Sequence, residues 1–480
     1  MSPITIIITI IAYFIVLFTV SYIAGRKADN EGFFVGNRKS RWYVVAFAMI
    51  GSAISGVTFV SVPGMVANNG FSYMQMVLGF ITGQFIIAFV LIPLFYKMNL
   101  ISIYQYLENR FGISSYKTGA WFFFTSKMLG ASVRLFLVCL TLQLLVFTPL
   151  HLPFGLNVII TVALVWLYTF RGGVKSIIWT DSLKTFCLIV SVVLCIYYIS
   201  MKLNLNFTGM FTSIIHNKMS RFFFFDDVND KRYFFKQFLA GVFTVIAMTG
   251  LDQDMMQRNL SCKNYHDSQK NIITSGISQF FVNLLFLMLG VLLYIFAQKE
   301  NITATGDKLF PTIAASNYFP SIVGILFIVG LISSAYSAAG SALTALTTSF
   351  TVDILGAKNQ EENKLAKTRK RVHVCMAVVM ALVIYVFNLL NNTSVIDAVY
   401  ILASYTYGPI LGLFAFGIFT KAQVKDKYIP LVAIVSPILC YILQANSVRW
   451  FNGYKFSYEL LIFNALFTFI GLSLLIKKRH

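Results

Sequence analysis

The chain returns again and again to apolar stretches of roughly 17 to 30 residues, the length a helix needs to cross a bilayer, and nothing else limits its fold so severely. The stretches lie near residues 2–24, 43–68, 73–96, 119–147, 153–169, 182–201, 235–252, 271–297, 321–355, 372–390, 396–419, 428–446 and 459–476, which predicts about 13 transmembrane helices. In hydrocarbon every backbone amide must find its partner inside the protein, so each stretch is expected to be helical and the whole an all-α polytopic membrane protein. The charged share fits that reading, at 12% of 480 residues against roughly 25% in soluble domains. Residues 2–24 have neither the basic start nor the small-residue cleavage site of a signal peptide, so a retained first helix is expected.

A formal net charge of +20 could point to nucleic acid, but no zinc-finger spacing occurs and the basic residues sit in short loops between apolar runs. Such loops follow the positive-inside bias. Arg26, Lys27, Arg38, Lys39, Arg110, Arg171, Lys175, Arg258, Lys364, Lys367, Arg369, Lys370 and Arg371 fall on one side if the N-terminus is outside and the C-terminus cytoplasmic. The expected location is the cell membrane, the inner one in a Gram-negative bacterium. Cys139, Cys187, Cys195, Cys262, Cys375 and Cys440 form no CxxC pair, so neither a disulfide framework nor a zinc site is indicated. The longest loop, 202–236, contains RFFFFDDVNDKRYFF, which suits a short interfacial helix or a lid.

Polar residues inside the apolar stretches mark where something other than lipid is met. Between Gly330 and Asp353, Ser334, Ser337 and Ser341 share one helix face, serving either close packing or the coordination of something polar. Glycines, hydroxyls and prolines interrupt the second span (IGSAISGVTFVSVPG, from Ile50), the seventh (GVFTVIAMTGLDQD, from Gly241) and the eleventh (ASYTYGP, from Ala403). Unwound backbone at such depth lines protein or a cavity and points to a transporter's binding site. The second and seventh spans are five apart, as an inverted repeat requires. Arg134 lies near mid-span and needs a carboxylate, a carbonyl set or a bound anion. Asp181 could cap its helix or handle a cation, while Lys127 and Lys184 are expected to reach the headgroups. Asp252 and Asp254, beside Gln257 and Arg258, suit a structural network, and all five histidines lie outside the spans or at their edges, so no enzyme is expected.

Together these residues resemble the sodium/solute symporter family, which includes sodium-coupled carriers of sugar, proline, pantothenate and sialic acid. The matching pieces are SAISGVTF from Ser52, GGVKSIIWTD from Gly172, GLDQDMMQR from Gly250, the serine-rich helix ending TTSFTVD at Asp353, and YGPILG from Tyr407. They occur in the family's order over nearly the whole chain. The resemblance implies a single membrane transporter domain with a LeuT-like 5+5 inverted repeat: five-helix repeats over 43–201 and 235–419, an extra helix at 2–24 and two more over 428–476. It implies a Na+ site from the backbone carbonyls of Gly51, Ile54 and Ser334 and the hydroxyl of Ser337, with Ala338 where a second hydroxyl is usual. A second Na+ site would use Asp181 and Ser341, but Gly340 replaces a serine, so one ion is expected.

Arg134 aligns with the arginine that in the sialic acid carriers clamps the substrate carboxylate. Ala53, Ser55 and Thr58 of the second span, with Thr244 and Thr249 of the seventh, complete the implied substrate site. The expected activity is sodium-coupled import of a small polar, carboxylate-bearing solute such as sialic acid. Sodium- or proton-coupled transport of a neutral sugar, polyol or amino acid stays open, and so, in another class, does a sensor or channel. A sensor would append a signalling domain, whereas the chain ends four residues after its last stretch. The expected partners are that solute and the lipid bilayer, with no nucleic acid; oligomeric state is open and a monomer suffices.

Overall fold

A computed structural model describes residues 3–25, 41–54, 56–98, 103–169, 174–316, 318–356, 361–390 and 394–477. Among them the regular structure is helical, apart from one antiparallel bridge between Val424 and Ile476. In order the main helices are α1 (Pro3–Gly25), α2 (Trp42–Ala53), α3 (Gly56–Asn69), α4 (Tyr73–Lys97), α5 (Ile113–Phe147), α6 (Phe154–Thr169), α7 (Val174–Lys202) and α8 (Phe234–Gly250). They continue with α9 (Gln253–Asn259), α10 (Tyr265–Lys299), α11 (Ser321–Ser349), α12 (Glu362–Leu390), α13 (Val395–Thr406), α14 (Gly408–Phe419), α15 (Ile429–Trp450) and α16 (Leu460–Leu474).

The expected count of about 13 transmembrane helices is corrected. Among the described residues, seven helices are long and apolar enough to cross a membrane, or up to nine if each of two bent pairs is one span. Three other apolar helices, Phe154–Leu167, Phe234–Gly250 and Leu460–Leu474, have only 10–17 residues, short of the ~20 that a span needs, and in α1 the apolar part counted is Ile4–Thr19. The stretches 153–169, 235–252 and 459–476 hold only 17 or 18 residues, at the lower end of what a span needs, and the helices stop short of them. The stretch near 235–252, for example, ends in a π-turn at Ile246–Gly250, and α9 starts afresh with Asp252 as its N-cap.

The bent pairs are α2 with α3, at 55°, and α13 with α14, at 46°. At the first bend Ile54 leaves the helical region with φ −85° and ψ 89°. At the second, Pro409 in the first turn of α14 has no amide hydrogen to continue the preceding ladder. The half-helices stay in place by packing. Phe59 of α3 is fully buried, with ring centroids 5.8, 5.3 and 5.4 Å from those of Phe286, Phe310 and Phe327, so α3 is held against α10 and α11. On the other side α4 and α8 touch backbone to backbone, since a Cβ on Gly79 would overlap the Phe238 carbonyl and one on Gly241 the Met76 carbonyl. Small residues permit such approaches in membranes.

The 202–236 segment contains the short helix Phe207–Ile215, with Phe207 and Ile215 exposed. Its following loop is tied to α4 by Gln75, which donates to the Arg232 carbonyl at 2.8 Å and accepts from the Phe224 amide at 3.1 Å. The guanidinium groups of Arg221 and Arg232 both lie over the Phe224 ring, at 4.7 and 4.6 Å from its centroid. Hydrogen bonding from Arg232 holds the Asp230 carboxyl below its usual range.

Candidate functional site

The bends and the end of α8 converge on two adjoining polar cavities that share Ser52, Arg134, Met248, Met255 and Val399. One, of about 100 Å³, is lined by Ala53, Thr58, Arg134, Thr244 and Thr249, together with Gln279 and Tyr400. Five residues of the implied substrate site thus face one space, from α2, α3, α5 and α8. Ser55 lies outside the described residues. Gln279, Tyr400 and Phe80 also line it and were not anticipated, although Gln279 was visible as an amide in an apolar stretch. Tyr400 also meets Tyr73, with their hydroxyl oxygens 2.8 Å apart.

The second cavity, of about 40 Å³, is floored by charge. Lys127 Nζ donates to Asp252 at 3.0 Å and to Asp254 at 3.2 Å. Arg258 donates to Asp181 at 2.8 Å, to Asp254 at 3.3 Å and to the Ser52 hydroxyl. Ser52 in turn donates to Asp181 at 3.0 Å, and Tyr407 donates to Asp252 at 2.9 Å. These bonds join α2, α5, α7, α9 and the α13–α14 bend. Lys127 therefore does not reach the headgroups as expected. It is buried, because the acidic first turn of α9 lies opposite it and ion pairing outweighs the long reach to the interface. Its position seven residues before Arg134, two turns up the same face, was the available signal.

Arg134 is different. It is half-buried, lines both cavities, and makes no hydrogen bond or ion pair among the described residues. Asp181 is paired with Arg258, while Ser341 lines the same small cavity as Ser52 and Arg258.

For the implied sodium site, Gly51 and Ile54 stand at the C-terminal end of α2, where a helix leaves its last carbonyls without internal donors and carries partial negative charge. A Cβ on Gly51 would overlap the Thr185 hydroxyl of α7. A Cβ on Gly56, just past the bend, would lie 3.1 Å from Ser334 Oγ, so the bend abuts α11 at Ser334. Ser337 is one turn further along α11; its side chain is outside the described residues. Carbonyl and hydroxyl oxygens are the hard donors that an alkali cation takes.

A helical bundle with broken helices around a central polar cavity, sealed on one side by ion pairs, is built as a secondary transporter. The chain belongs to the sodium:solute symporter family, whose model matches residues 33–425. It is a sodium-coupled secondary transporter of the membrane, not an enzyme. The sodium/sialic acid symporter NanT of Aliivibrio fischeri is 24% identical over 452 residues, 90% of this chain and 86% of that one. The structure of a Na+-coupled sialic acid symporter in a substrate-bound outward-open state superposes with a TM-score of 0.83 at 19% identity, covering 99% of both chains. A nucleobase–cation symport-1 family transporter in a closed conformation matches with a TM-score of 0.57 at 14% identity, covering 92% of this chain and 94% of that one. These likenesses carry the fold, that of an all-α polytopic membrane protein.

Proposed function

We propose that the chain imports a small carboxylate-bearing solute, such as sialic acid, together with one sodium ion. The observation that carries this reading is Arg134. It is a permanently charged guanidinium on the cavity of Thr58, Thr244 and Thr249, without a protein partner among the described residues, while Lys127 and Arg258 are both saturated by carboxylates. A planar anion from outside fits the fork of an arginine. The hydroxyls of Thr58, Thr244 and Thr249 suit a polyhydroxylated body. The sialic acid relatives lend the substrate class its name.

Sodium belongs at the α2 bend, on the carbonyls of Gly51, Ile54 and Ser334 and the hydroxyl of Ser337, tying the bend to α11. Asp181 and Ser341 do not form a second ion site in this reading, because Arg258 already neutralises Asp181. Residues 43–201 and 235–419 are the two inverted halves, each opening on an interrupted helix, with 2–24 before them and 428–476 after. The N-terminus is outside and the C-terminus cytoplasmic, so the ion-paired floor faces the cytoplasm and must open for release.

The test is uptake into proteoliposomes of sialic acid, a monocarboxylate, a neutral sugar, myo-inositol and proline, under an imposed sodium gradient and then a proton gradient. Sodium-driven uptake confined to acidic solutes supports the reading. Uptake of neutral solutes alone refutes the carboxylate, and drive by protons alone refutes the sodium site.

A further inference from the structure

On the membrane-facing side of the bundle, a groove of about 620 Å³ runs between α6 and α12. Small residues make room for it. Ala163 and Ala381 line it, and at Gly155 an added Cβ would only just reach Tyr385, at 3.9 Å. The register of the two helices is pinned at one end by His373 of α12, whose ring nitrogens hydrogen-bond Thr169 of α6 at 3.1 Å and Thr347 of α11 at 2.8 Å.

On α12 the lining positions Val374, Ala377, Val378, Ala381, Leu382 and Tyr385 recur at three and four residues and so form one face. Continued toward the N-terminus, the same face carries Arg371, Lys370, Lys367 and Lys364, all exposed. A single stripe thus turns from apolar to basic within one turn. From Val374 to Tyr385 the apolar part is about 16 Å long at 1.5 Å per residue, roughly half of a ~30 Å hydrocarbon core. A groove of that length is too short for a spanning helix of a second copy, and it has the proportions of an acyl chain. Basic residues beside a membrane helix are ordinary by themselves. A groove in register with them is not, and together they complement a lipid whose headgroup is negative.

We infer that this groove binds an anionic phospholipid from the leaflet bordering the N-terminal end of α12. One acyl chain lies between α6 and α12, and the headgroup sits on Arg371 and Lys370. The test compares spin-labelled phosphatidylglycerol with spin-labelled phosphatidylcholine of the same chain length, in bilayers containing the purified transporter, reading the motionally restricted fraction by electron spin resonance. At low salt phosphatidylglycerol should be preferred by about fivefold for each basic residue engaged. Lys370→Gln combined with Arg371→Gln should bring the two lipids toward parity. Ala381→Phe, which fills the groove and leaves the charges, should also abolish the preference. The charge variants alter exposed side chains only, and monodisperse elution checks that every variant is folded. Equal retention of the two lipids by the unaltered protein overturns the site, as does a preference that survives either variant.

Discussion

Lys127 and Arg134 lie two turns apart on one face of α5 and meet opposite fates. Lys127 faces the acidic first turn of α9 and is consumed by Asp252 and Asp254, whereas Arg134 opens onto the cavity. If Arg134 pairs with a substrate carboxylate, Arg134→Lys replaces a two-pronged contact by a point charge. A charged hydrogen bond contributes about 1.5–3 kcal/mol, so the KM for an acidic solute should rise about 10- to 100-fold while that for a neutral solute changes little. Uptake kinetics on both solutes decide it, since equal losses would make Arg134 a structural residue. The proposed sodium site allows a gain as well as a loss. Ser337→Ala should raise the sodium concentration for half-maximal uptake, and Ala338→Ser, by returning a hydroxyl, should lower it by about fivefold for ~1 kcal/mol. A sodium titration insensitive to both changes would move the ion elsewhere. Arg134 was legible in the sequence because an arginine in an apolar stretch demands a partner. The fate of Lys127 was not, since its partners lie 125 and 127 residues away.

At the level of elements, the charged floor is a clasp among α2, α5, α7 and α9, and on the proposed reading it opens for release. Arg258 of α9 bridges Asp181 of α7, Ser52 of α2 and Asp254. Removing one member of a buried ion pair costs about 3–5 kcal/mol because the other charge is stranded. Arg258→Met should therefore lower the melting temperature of the purified protein clearly, and Asp181→Asn in the same chain should recover part of the loss. If the double variant is no more stable than the single one, Asp181 and Arg258 are not coupled. The breaks in α2–α3 and α13–α14 were readable from Gly51, Gly56, Gly408 and Pro409, residues that disrupt a helix by local chemistry. The clasp was only half readable. The acidic pair beside Arg258 announced a network, but Asp181 read equally well as a helix cap. The number of spanning helices was misread for a different physical reason, because the stretches 153–169, 235–252 and 459–476 lie at the lower limit of span length and their helices, Phe154–Leu167, Phe234–Gly250 and Leu460–Leu474, are shorter still.

For the whole molecule the central charges balance. Lys127, Arg134 and Arg258 oppose Asp181, Asp252 and Asp254, with the two paired cations serving all three carboxylates. The cavity is thus neutral only when Arg134 is counted, and cargo can enter without net cost if it enters as a cation with an anion. One sodium with one carboxylate meets that condition. A second sodium does not, because Asp181 accepts Arg258 and the Ser52 hydroxyl on the same oxygen. Transport of a monoanion should then move no net charge. In proteoliposomes with a fixed sodium gradient, changing the membrane potential from zero to about −100 mV should leave accumulation unaltered. One uncompensated charge would instead add about 2.3 kcal/mol per 100 mV, close to a 50-fold greater accumulation. Such a rise would show that a second cation travels, and that Arg258 must release Asp181 during the cycle to admit it.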